Sequence, residues 1–148
     1  MKYTSQVVIN LPINEVIVLF DNEKNLFKWQ PELISFEHLS GEKGEVGAKS
    51  KLIYKMGKRE VEMIETITVK DLPHEFSGIY EAKGVWNEVK NYFQQTDGNA
   101  TQWTSVCHFE FKGFMKLIAL IMPGSFKKQS QKYLDQFKAF AEEKSRQY

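Results

Sequence analysis

Residues 114–146 read FMKLIALIMPGSFKKQSQKYLDQFKAFAEEKSR, and the fold turns on how this stretch is read. Phe126, Ser130, Tyr133, Phe137 and Ala141 step by three or four, so the second part is a long helix with one face laid on a core. The first part is different: from Leu117 to Met122 no side chain is polar. Pro123 lacks the backbone N–H that a helix interior needs, so it kinks the helix or starts it afresh. Carried back across Pro123-Gly124, the same face takes in Met122, Ala119 or Ile118, and Met115. Leu117, Leu120 and Ile121 are then left off that face, and something else must cover them.

The partner of the long helix lies upstream. From Leu33 to Phe111 the chain alternates in period two between turn signals: ISFEHLS, AKSKLIYKM, REVEMIETITVKD, FSGIYEAKG, WNEVKNYFQQ and TQWTSVCHFEF. TDGNA between the last two is a strong hairpin signal. Six strands joined by short turns favour an antiparallel meander. Period two also sorts their faces. Ser50, Leu52, Tyr54 and Met56 share one; Val61, Met63, Ile67 and Val69 share another with Glu65; Asn91 goes with Val89 and Phe93. Trp103, Ser105, Cys107, Phe109 and Phe111 oppose Thr104, Val106, His108 and Glu110. One face of the sheet is apolar and aromatic, the other polar, so it needs cover on one side only.

Ahead of the meander, KYTSQVVINLP reads as a strand with Tyr3, Ser5, Val7 and Ile9 on one face. Pro12 suits the first turn of a short helix in which Val16, Leu19 and Phe20 recur. Asp21 or Asn22 caps a second short helix that stops before Pro31. No linker or repeat interrupts the 148 residues, so one α+β domain is expected from end to end.

Composition narrows the function. Lys plus Arg is 20 against 19 acidic residues, a net charge of +1, which argues against a dedicated nucleic-acid binder. Aromatic residues make up 14% of the chain, enough bulky surface to exclude disorder. Cys107 is the only cysteine, so no internal disulfide forms and a reducing compartment fits best. MKYTSQVVIN has no apolar signal core, and the run at 114–122 falls short of the roughly 20 residues that span a bilayer. A cytoplasmic location is the expectation. His38, His74 and His108 have no metal-site spacing, and neither a phosphate loop nor a nucleophile elbow is present, so no metal or cofactor is expected.

The order of elements resembles the helix-grip fold of the START-like, or SRPBCC, superfamily, which includes polyketide cyclase/dehydrase-like proteins and the birch pollen allergen. The carriers are INLPINEVIVLFDNEKNLFKWQP (residues 9–31), EVGAKSKLIYKMG (45–57), VKDLPHEF (69–76), the Gly98–Thr101 hairpin and YLDQFKAFAEE (133–143). One departure is the hairpin, where Asn99 and Ala100 separate Gly98 from Thr101. The resemblance implies a curved sheet, first strand plus meander, wrapped round the long helix with a cavity between them. It would place the surplus Leu and Ile of 117–121 at the cavity mouth, against the loops and the small helices.

On that reading the ligand-binding candidates are Leu52, Tyr54, Met63, Phe76, Tyr80, Phe93, Trp103 and Phe109 on the sheet. Trp29 on the second short helix and Ile118, Met122, Phe126 and Tyr133 on the long helix join them. Glu65 and Asn91 point inward among apolar neighbours, where a polar group must find a partner. With the Tyr54 and Tyr80 hydroxyls they would orient a ligand head, or do acid/base work if burial raises the Glu65 pKa. A bulge or register change that turns Glu65 outward, or a structural hydrogen bond, is the plainer alternative. Cys107 reads as a small core hydrophobe. The first functional expectation is binding or carriage of a hydrophobic small molecule, a lipid, isoprenoid or polyketide-like compound. The second is a cyclase/dehydratase-like enzyme. The third is a protein-interaction module resembling chaperone-ATPase activators. FKKQSQK beside the apolar run reads as a solvated helix face or as a peripheral contact with anionic lipid. Monomer and homodimer both remain open.

Overall fold

The computed structural model describes residues 1–147. The elements run β1 (Lys2–Ile9), α1 (Ile13–Phe20), α2 (Glu23–Trp29), β2 (Leu33–Ser40), β3 (Lys49–Met56), β4 (Arg59–Asp71), β5 (Glu75–Ala82), β6 (Val85–Thr96), β7 (Ala100–Phe111), α3 (Phe114–Ile121) and α4 (Pro123–Arg146). Seven strands form one antiparallel sheet in the order β1-β7-β6-β5-β4-β3-β2. The meander is intact, and β1 closes it by pairing with β7.

Local chemistry explains the joints. Pro12 caps α1 rather than opening it, in an extended conformation. The Asn22 side chain accepts hydrogen bonds from the N–H groups of Lys24 and Asn25, two of the donors that the start of α2 leaves free. Asp97, Gly98 and Asn99 join β6 to β7, and Thr96 pairs with Ala100. Gly98 and Asn99 both take positive φ, which glycine and asparagine tolerate best, so the departure at Asn99 is the turn itself.

At Met122 the backbone leaves helical geometry (φ −128°, ψ 58°), and Pro123 takes the first position of α4. The helix starts afresh, so the phase of α4 does not extend back through α3.

α4 makes its close backbone approach chiefly to β1 and α2 rather than to the middle strands. Its face carries Leu134, Phe137 and Ala141 into a core with Ile9, Leu11, Val16, Trp29, Phe93 and Trp103. Phe20 is the hub of that core, with ring centroids 4.9 Å from Phe93, 5.4 Å from Trp103 and 5.7 Å from Phe137. A second cluster of Leu33, Leu52 and Tyr54 sits at the β2–β3 edge. Both clusters leave the sheet's middle strands uncovered.

Candidate functional site

That uncovered middle is a cavity of about 610 Å³ between the sheet and α4. Its floor comes from the inner faces of β3 to β7 and its roof from Phe126, Ser130, Tyr133 and Leu134 of α4. It reaches the surface at Asp21, Asn22 and Lys43, between the α1–α2 junction and the β2–β3 loop. Lys43 and Glu23, both on the lining, form a 2.9 Å ion pair at that opening. At the other end the wall is Met56, Ala82, Val85, Met115 and Ser125, from the ends of the β3–β4 and β5–β6 hairpins, α3 and the start of α4.

Strand register builds the floor in rows. Ser50 on β3 faces Glu65 on β4, Glu65 faces Tyr80 on β5, Tyr80 faces Asn87 on β6, and Asn87 faces Phe109 on β7. All five line the cavity, so a band of polar groups crosses an otherwise apolar floor. Glu65 faces inward: the register shift in β4 falls between Ile67 and Val69, beyond it, and does not turn it out. Burial pushes its carboxyl above the usual carboxylate range, and a hydrogen bond with Tyr80 offsets part of the rise. Burial, then the Glu65 charge, pushes the Tyr80 hydroxyl well above its ordinary value. Asn87 Oδ1 is buried and has no hydrogen-bond partner among the described residues.

A second row runs Phe76, Asn91, Ser105 and Ser5. Here the Trp103 indole N–H donates to Asn91 Oδ1 at 2.9 Å, which fixes both side chains. At the β2–β3 edge the Tyr54 hydroxyl donates to Gln30 Oε1 at 2.6 Å, tying the end of α2 to the floor. Where α4 meets β1, the Tyr3 hydroxyl lies 2.6 Å from Ser130 Oγ and donates to the Phe126 carbonyl at 3.0 Å. Cys107 Sγ stands 3.8 Å from Ser130 Oγ and is buried, a free thiol in the cavity wall.

Of the expected ligand contacts, Trp29, Tyr54, Met63, Glu65, Phe76, Tyr80, Asn91, Trp103, Phe109, Phe126 and Tyr133 line the cavity. Leu52 and Phe93 do not: both are buried in the core clusters beside it, 1% and 3% exposed. Ile118 and Met122 do not either, because the break at Met122 rotates α3 away from the α4 face. Of α3 only Met115 lines the cavity, and Met122 is exposed. Leu117, Leu120 and Ile121 likewise face solvent, and α3 packs on β7 and α4 at the end away from α1 and α2. Sequence reading missed Phe20, Gln30, Asn87 and Gln129 among the lining residues. Asn87 was legible in principle, standing two residues before Val89 on the same face. Among the described residues no cluster of His, Cys, Asp or Glu could hold a metal ion.

No family profile and no curated protein matches the chain in sequence. Solved structures match it along its whole length. The ZhuI aromatase/cyclase from Streptomyces sp. R1128 superposes with a TM-score of 0.81 at 11% identity, over 96% of this chain and 93% of that one. Norcoclaurine synthase from Thalictrum flavum, solved with dopamine and hydroxybenzaldehyde, gives 0.74 at 14%, over 97% and 87%. TTHA0849 from Thermus thermophilus gives 0.80 at 16%, over 98% and 99%. The chain therefore has the helix-grip fold that START-like, or SRPBCC, proteins share.

Proposed function

We propose that this protein binds and carries a hydrophobic small molecule in the cavity between sheet and α4. The single observation that supports this most is about 610 Å³ of space walled mainly by apolar and aromatic side chains, within the usual range for ligand pockets of about 300–1,000 Å³. The polar band refines the ligand. The cationic side chain on the lining, Lys43, stands at the rim and is paired to Glu23, whereas Glu65 and the unpartnered Asn87 Oδ1 lie on the floor. An anionic head would meet a carboxyl and an acceptor with no compensating charge. A head that donates hydrogen bonds, such as an alcohol or phenol, fits. A cytoplasmic location goes with this reading, supported by one buried free cysteine.

The test is titration with the uncharged dye N-phenyl-1-naphthylamine, together with native mass spectrometry of gently purified protein. Val89→Trp, at the centre of the floor between Gly78 and Cys107, fills the space. Dye uptake by the wild type and its loss in a folded Val89→Trp variant are expected. Absence of dye uptake, with a native mass equal to that of the bare chain, overturns the proposal.

A cyclase- or dehydratase-like activity is the second reading, favoured by the Glu65–Tyr80 pair on the floor of a mainly apolar cavity. Its mark would be turnover lost in Glu65→Gln while dye binding persists. Function by surface contact alone is the weakest of the three, because the interior is not filled.

A further inference from the structure

We infer that α3 and the start of α4 form a docking surface for an anionic lipid bilayer. The apolar part is an arc of one short helix. Phe114 is 66% exposed, Leu117 51%, Leu120 74% and Ile121 66%, with Met122 at 53% continuing past the helix end. At helical spacing these four fall on one side of α3, opposite Met115 and the buried Ala119. The described chain covers none of them. So dense a group of large exposed apolar side chains marks an interaction site.

Charge decides what fits there. Between Glu110 and Asp135 the chain has Lys112, Lys116, Lys127, Lys128 and Lys132 and no acidic residue, although the whole protein is only +1. Lys132 pairs with Glu32 at 2.9 Å, whereas the first four are exposed and enter no ion pair among the described residues. An apolar arc flanked by unpaired lysines matches the boundary between acyl chains and anionic headgroups, and repels a second copy of itself. Gly84 seats the helix: its φ is +77°, and a Cβ there would stand 2.9 Å from the Lys112 carbonyl and 3.2 Å from Met115 Cγ. Met115, on the inner side of α3, lines the cavity. Docking therefore sets one end of the cavity against the bilayer, a route for loading that rests on the ligand-binding reading; docking itself does not.

The experiment is co-sedimentation of the full chain with phosphatidylcholine vesicles, with and without a third of phosphatidylglycerol. Binding only to the anionic vesicles is expected, weakened by high salt. Leu117→Ser with Leu120→Ser and Ile121→Ser, all at exposed sites, should lower binding at least about tenfold, as should glutamine at the four lysines. Circular dichroism and dye uptake should stay unchanged in both variants. Val89→Trp should still bind vesicles, which separates failure of the cavity reading from failure of this one. Three outcomes overturn the inference: no binding to anionic vesicles, equal binding by the serine variant, or a wild-type dimer in light scattering that the serine variant dissociates.

Discussion

Glu65 on β4 and Tyr80 on β5 stand opposite each other across neighbouring strands, and both line the apolar cavity. The pairing favours the Glu65 carboxylate and disfavours the Tyr80 phenolate, and burial is the larger effect on both. The pair therefore holds its protons longer than the same groups would in water.

That has a sign in stability. The folded-state pKa of Glu65 lies above its unfolded value, so the native state binds the extra proton. Its stabilising contribution is complete below the ordinary carboxylate pKa and is lost as pH rises through the folded value. Urea midpoints measured from mildly acidic to neutral pH should fall more steeply for wild type than for Glu65→Gln. The variant should be the more stable at neutral pH. Parallel curves would show that Glu65 titrates as it does in water.

The same band predicts selectivity. Against bound N-phenyl-1-naphthylamine, decanol should compete better than decanoate at mildly alkaline pH, where decanoate is ionised. Glu65→Gln removes the like charge, so the gap should narrow. Asn87→Leu takes away the waiting acceptor and should weaken decanol while sparing an alkane. Equal competition by the two in wild type would mean that the head does not reach the band.

Two substitutions separate core from cavity. Phe137 is fully buried, with ring centroids 5.2 Å from Trp29 and 5.4 Å from Trp103. Phe137→Ala should cost about 3–5 kcal/mol in chemical denaturation. Asn91→Leu strands the buried Trp103 indole N–H and should cost about 1–3 kcal/mol. If Asn91→Leu is neutral, water from the cavity has taken over that bond.

Much of this architecture is written in period two. The alternation around Tyr54, Glu65, Asn91 and Trp103 gives the inner face directly, because a strand offers only two directions. The β4 bulge does not spoil it, since the irregularity lies past Glu65. Legibility fails at α3. Residues 114–122 are apolar nearly all round, so periodicity has little polar side to phase against, and Met122 resets the phase by leaving helical φ and ψ. Leu52 and Phe93 illustrate another limit: facing inward is local, whereas facing a space depends on where α2 and α4 come to rest. That position is set by long-range contacts such as Tyr54–Gln30 and the ring of aromatics round Phe20.

The last prediction concerns the gate at the far end. Lys43 and Glu23 are largely solvated, at 65% and 36% side-chain exposure, so their 2.9 Å ion pair adds little to global stability. It nevertheless joins α2 to the β2–β3 loop over an opening of the cavity, and its charges are the ones salt screens most readily. Lys43→Ala should leave the melting temperature unchanged while dye dissociation in stopped flow speeds up severalfold, an effect that high salt reproduces in the wild type. Association should change less, because affinity differences among related complexes reside mainly in dissociation. If dissociation instead responds to the serine substitutions on α3 and not to Lys43→Ala, the ligand leaves by the α3 end, and the ion pair is only a surface contact.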